Sequence, residues 1–187
     1  MRTALGLGLV AVLLTGCQGE EAGGVPTTPR ALAWLAADHL GDPSRAISER
    51  DAAEEFGSDG IGAELGYGQQ VVLAVGNELP KALYDCDGED AERLAGCEET
   101  EDGVLMWEDL EPEEDPGVVY VVVPKGDSAV LMFGSGPDIT GDPRDLDLPV
   151  SVAEMFEIAN DPRVDVTTTQ EAVDGGRDLD FWGEPDL

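Results

Sequence analysis

The chain has 187 residues, 42% of them hydrophobic, enough to build the core of one domain rather than remain disordered. Against 41 Asp and Glu stand 10 Lys and Arg, for a formal charge of −31. That balance argues against a nucleic-acid partner, because phosphate binding needs clustered basic side chains, and against a body lying flat on anionic lipid. Solubility or salt adaptation accounts for such acidity; a surface for a basic protein or a divalent cation is the alternative.

The first element is a short apolar run. Met1-Arg2 give a minimal basic start, and residues 4–14 are apolar apart from Gly6 and Gly8. The run is too short for a bilayer core of roughly 30 Å, which takes about 20 apolar residues, and has the size of a signal-peptide core. It closes on Leu14-Thr15-Gly16-Cys17, which resembles the lipobox of bacterial lipoproteins. The resemblance implies a signal peptide over 1–16, with Leu14, Thr15 and Gly16 read by the signal peptidase. It also implies lipidation of Cys17 through its thiol, with further acylation (palmitate among the chains) on the new amino group. Two or more acyl chains hold a protein stably where one binds only marginally. The expected location is therefore extracytoplasmic, on the outer face of the cell membrane, with the membrane itself as partner through the lipid anchor.

Residues 17–28 read as a flexible tether of Gly, Glu, Pro and Thr with little apolar content. As a random coil of about 12 residues it reaches on the order of 20 Å. That exceeds the Debye length of about 8 Å at physiological salt, so an anionic body can stay clear of an anionic surface.

A single domain is expected over 29–176. Thr28 can cap a helix with Pro29 at its first position; Leu32, Trp34, Leu35 and Leu40 give it apolar weight and Gly41 ends it. Ser48 with Asp51 suggests a second short helix running through Phe56 to Gly57. Strand patterns follow at 71–75, 104–107, 118–123 and 129–133, the last two joined across Pro124-Lys125-Gly126-Asp127 as a hairpin. The near-continuous apolar character of 118–123 marks a central strand covered on both faces. Ser151 and Glu154 form an S-x-x-E capping box, with Val150 and Met155 at the staple positions. Thr168 and Glu171 repeat the box for a shorter helix that Gly175-Gly176 would stop. From Arg177 to the end, 177–187, an acidic tail is expected to be loose unless Phe181 and Trp182 pin it. The expected fold is α+β: a small antiparallel sheet with a central hairpin over 118–133, packed by N-terminal helices and a C-terminal helix over 152–160.

Gly136-Pro137-Asp138-Ile139-Thr140-Gly141-Asp142-Pro143-Arg144, Leu148-Pro149-Val150-Ser151 and Asp161-Pro162-Arg163 resemble the C-terminal part of uncharacterised lipoproteins of actinobacterial type. That resemblance implies no activity.

Beyond Cys17 the chain has an even pair, Cys86 and Cys97, in a protein expected to reach an oxidising compartment. Metal ligation lacks partners, since His39 is the sole histidine and no CxxC occurs. A redox site wants closer spacing. A structural disulfide is the expectation, stabilising by roughly 2–3 kcal/mol through loop closure.

Signatures of catalysis and cofactor binding are missing from the sequence: no G-x-S-x-G, H-E-x-x-H, Walker or strand-following G-x-G-x-x-G pattern occurs. No cofactor is expected. His39 falls at a helix end, where a capping or surface role suits it. Asp85, Asp87, Glu89 and Asp90, and Asp138, Asp142, Asp145 and Asp147, are acidic loops without EF-hand spacing. The acidic connection 111–116 reads as solvated. These features point to a membrane-anchored, non-enzymatic binding or accessory module. A carboxylate-based cell-envelope hydrolase and a divalent-cation-binding surface protein are the alternatives.

Overall fold

The computed structural model describes residues 24–79, 84–111 and 115–181. The lipobox, residues 112–114 of the acidic connection, and Trp182 with the tail beyond it lie outside the described residues.

The fold is α+β. Its centre is the hairpin of β7 (Val118–Lys125) and β8 (Ser128–Ser135), paired from Val118↔Ser135 to Lys125↔Ser128. The turn is tighter than the sequence suggested. Pro124 pairs with Ala129 inside the ladder, leaving Gly126-Asp127 as a two-residue turn in which Gly126 takes the positive φ of 70° that such turns need first.

Around the hairpin lie β2 (Ala46–Ser48), β3 (Ile61–Gly66), β4 (Gln70–Gly76), β5 (Gly96–Thr100) and β6 (Gly103–Glu108). The seven strands run in the order β2-β3-β4-β8-β7-β6-β5, every neighbour antiparallel. β7 and β8 are thus interior strands, as their apolar runs require. β2, β3 and β5 carry weak strand signals: Gly62 and Gly66 dilute β3, and Glu98 and Glu99 stand in β5.

One sheet face carries the main core. Val71, Leu73 and Val75 of β4, Val119, Val121 and Val123 of β7, and Val130 and Met132 of β8 point into it. Two helices cover this face, and a third packs on the first of them. α1 (Pro29–Leu40) starts at Thr28, whose hydroxyl accepts from the Ala31 N–H, and ends at Gly41, whose N–H donates to the Ala37 carbonyl. It buries Leu32 and Leu35 completely. α3 (Val152–Asn160) has the complete capping box: the Ser151 hydroxyl accepts from the Glu154 N–H and the Glu154 carboxylate accepts from the Ser151 N–H at 2.8 Å. Val150 and Met155 are both buried in the core beneath it.

The remaining helix departs from the sequence reading twice. α4 (Gln170–Asp178) is capped by Thr169, whose hydroxyl accepts from the Ala172 N–H, while Thr168 belongs to β9 (Thr167–Thr168). Gly175-Gly176 do not stop it. A Cβ on Gly175 would stand 2.4 Å from the Trp34 indole, and one on Gly176 would stand 2.7 Å from the Arg30 carbonyl. The glycines let α4 lie against α1; they are a packing surface rather than a terminator.

Regular structure also precedes Pro29. β1 (Val25–Pro26) pairs with β9, and Thr27 is buried with its N–H donating to the Val166 carbonyl. At the other end Phe181 is buried and carries the Arg30 guanidinium 4.8 Å above its ring. The second predicted helix shrinks to α2 (Asp51–Glu54), followed by a 3-10 turn, Gly57–Asp59. Ser48 lies in β2 and plays no capping part; the Glu49 carboxylate accepts from the Asp51 N–H instead.

Candidate binding groove

The alternation that sends one set of side chains to the helices sends the other set to the opposite face. There Met106, Val122, Leu131 and Val72 form a second, smaller cluster, with Tyr120 and Phe133 half-buried beside it. Two elements partly cover this face. On one side α2 and Phe56 pack near β4, Phe56 lying over Gly76 so closely that a Cβ there would meet its ring at 2.4 Å. On the other side the segment 84–95 is tied to edge strand β5 by the Cys86–Cys97 disulfide, with Cα atoms 5.5 Å apart. The expected bridge is present, and it fastens a wall of the groove to the sheet.

Between these covers lies a half-open groove of about 520 Å³, within the usual size of ligand clefts. Met106, Tyr120, Leu131 and Phe133 make its floor, and Ala52, Leu79 and Leu94 its apolar walls. Tyr120 and Phe133 are cross-strand partners with ring centroids 5.8 Å apart and planes tilted by 49°. The rim is charged: Asp51 from α2 and Glu55 just after it, Asp85 and Arg93 from the disulfide segment, and Glu108 from the end of β6. Glu108 accepts a long hydrogen bond, 3.5 Å, from the Tyr120 hydroxyl. Burial, then the neighbouring carboxylates of Glu108 and Asp115, push the Tyr120 phenol up to about 12.

A second hollow, about 640 Å³, opens at the end of the sheet where β3 turns into β4. Glycines and short polar side chains line most of it, including Ser44, Gln70 and Ser135. It lacks the aromatic floor of the groove.

His39 belongs to neither place. Its Nε2 lies 2.9 Å from Asp161 Oδ2, linking the last turn of α1 to the residue that closes α3. Arg163 clasps the same carboxylate through Nε and Nη2 and also reaches Asp38. Lys125 donates to the Asp161 and Val164 carbonyls. Burial alone would push the Asp161 carboxyl up, but hydrogen bonds from Arg163 and His39 hold it well below the usual carboxylate range. Burial also pulls the Lys125 ammonium down, against Asp165 and Asp161. The sequence reading of His39 as a helix-end residue missed this partner, which lies 122 positions away. The cluster reads as a polar staple joining α1, α3 and the end of β7, with its hydrogen bonds directed inward to protein groups.

In the acidic loops, Asp142 and Asp85 serve local structure. Asp142 caps the 3-10 turn Pro143–Asp145 and pairs with Arg144, which also reaches Glu98 at 2.8 Å. Asp85 accepts from the Asp87 N–H. Among the described residues no group of three or more His, Cys, Asp or Glu is arranged to hold a metal ion. The described carboxylates with a displaced pKa, those of Asp142, Glu154 and Asp161, are all lowered.

The molecule is thus an α+β protein whose antiparallel sheet carries helices on one face and a partly covered apolar groove on the other. Compared with family models, with curated proteins and with solved structures, the chain has no significant match.

Proposed function

We propose that this chain is an exported protein, lipid-anchored through Cys17, whose body is a non-enzymatic binding module using the groove over Tyr120 and Phe133. The observation that carries the binding reading is an aromatic floor left half-covered on a sheet whose other face is fully packed. A protein with no use for that face gains by closing it, because burial of apolar surface stabilises by roughly 25 cal/mol per Å².

The anchor and the groove are tested separately. Cys17→Ser should move the protein from the membrane fraction to the soluble extracytoplasmic fraction; unchanged membrane association would refute the anchor. For the groove, the neutral apolar dye Nile red should brighten on the intact full chain and lose most of that signal with Phe133→Ala. A dye response indifferent to Phe133 would remove the groove as the binding site.

A further inference from the structure

The charges around the groove narrow what it would take. Among the described residues its apolar floor is overlooked by the carboxylates of Asp51, Glu55, Asp85 and Glu108 and by the guanidinium of Arg93. Asp51 on α2 and Glu55 just after it are exposed at the edge of a low-dielectric floor, where their attraction for a cation is stronger than in bulk water. The two aromatic rings of the floor offer π faces that attract cations. Burial is the main cause of the raised Tyr120 phenol, and the negative charge of Glu108 and Asp115 adds to it. An anionic or neutral apolar ligand would meet that field as repulsion or as nothing; a cation with an apolar neighbour satisfies rim and floor together.

We infer that the groove receives a basic peptide segment of a partner protein, with arginine or lysine facing the Asp51, Glu55 and Glu108 rim and a bulky apolar side chain on Tyr120 and Phe133. A half-open trough suits a segment that enters and leaves, whereas a free small molecule is usually enclosed more completely. The inference rests on the binding reading above and adds the ligand's chemistry to it.

The test uses the full chain and three fluorescent, end-blocked pentapeptides followed by anisotropy. The first is Arg-Leu-Arg-Trp-Arg, the second has Glu for each Arg, and the third has Gly for Leu and Trp. The first should bind at least tenfold more tightly than either of the others. Its affinity should fall about tenfold with the combined Asp51→Asn, Glu55→Gln, Glu108→Gln variant, whose changes are at exposed or rim positions and spare the core. Raising salt should weaken binding to the native chain more than to that variant. Phe133→Ala should weaken the first peptide, and circular dichroism should show both variants folded. Equal affinity for the Arg and Glu peptides, both sensitive to Phe133→Ala, would overturn the charge inference and leave the binding groove standing. Binding of the Arg peptide that ignores Phe133→Ala would place it elsewhere on the acidic surface and overturn the inference. No binding by any peptide overturns it too, and the Nile red response then decides whether the groove reading falls with it. A dimer in sedimentation that Phe133→Ala disperses would make a second copy the occupant, against the inference.

Discussion

Gly176→Ala separates two accounts of the same residue by the sign of one measurement. If Gly176 merely sits in or after an exposed helix, alanine stabilises it by about 1 kcal/mol, the ordinary helix-propensity gain. In the structure the new Cβ would stand 2.7 Å from the Arg30 carbonyl carbon and oxygen and 2.9 Å from the Ala31 nitrogen. These are backbone atoms of α1, so no side-chain rotation relieves the contact. Ordinary contacts begin near 3.5 Å, so α1 and α4 must separate by several tenths of an ångström. α1 is not free to move, since Ala31, Leu32, Ala33, Leu35 and Ala36 are all fully buried against the sheet and its neighbours. Overpacking costs typically 1–3 kcal/mol, and contact with fixed backbone places this case in the upper half of that range. Setting the helix gain against it leaves a loss of about 1–2 kcal/mol, or a melting temperature lower by roughly 2–8 °C for a protein of this size. Thermal unfolding followed by circular dichroism on the full chain reads this directly. Gly175→Ala should cost less, because its Cβ meets the Trp34 side chain, which can shift. A Gly176→Ala melting temperature equal to or above the native value would refute the close-packing argument.

The other predictions concern polar contacts and the disulfide. Asp161→Asn should destabilise by about 2–3 kcal/mol at pH 7, because its carboxylate is 7% exposed and serves both Arg163 and His39. Its folded pKa is depressed, so that stability is fully present above the unfolded carboxylate value of about 3.9 and fades as pH falls toward the folded value. The gap between native and variant in denaturant melts should therefore shrink as pH falls below about 4; a gap independent of pH would exclude the carboxylate as its source. Replacing Cys86 and Cys97 together by alanine should lower stability by roughly 2–3 kcal/mol for a loop of sequence separation 11, and reductant should lower the native chain but not the variant. Nile red signal should fall with it, since the bridge secures the groove wall at Leu94; retention of full dye response would detach the bridge from the groove. Ser151→Ala should cost about 1 kcal/mol by removing the α3 cap, measurable as a shift in urea midpoint at constant slope.

How far the chain could be read depended on the range of each interaction. Helix α1, the α3 capping box and the β7–β8 hairpin were legible because each is specified by residues within a few positions of one another: Thr28 with Pro29, Ser151 with Glu154, and two apolar runs about Gly126. The Cys86–Cys97 bridge was legible by counting. β3 was not, because Gly62 and Gly66 have no strand preference and the ladder with β4 holds them in place. The groove was half legible: Tyr120 and Phe133 belong to recognised strands, but nothing local says that they face each other or that Asp51 and Glu55 stand over them.

By itself, then, the sequence determined the acidic charge, the capped helices, the central hairpin and the cysteine pair, all short-range or compositional properties. Only the tertiary structure decided which sheet face the helices take, and so which alternate residues form the groove. It also turned Gly175-Gly176 from a stop into a helix contact and gave His39 its partner in Asp161. The physical reason is the same in each case. A glycine's missing Cβ and a histidine's free nitrogen are defined by what comes to lie beside them, and those neighbours are supplied by chain segments more than a hundred residues away.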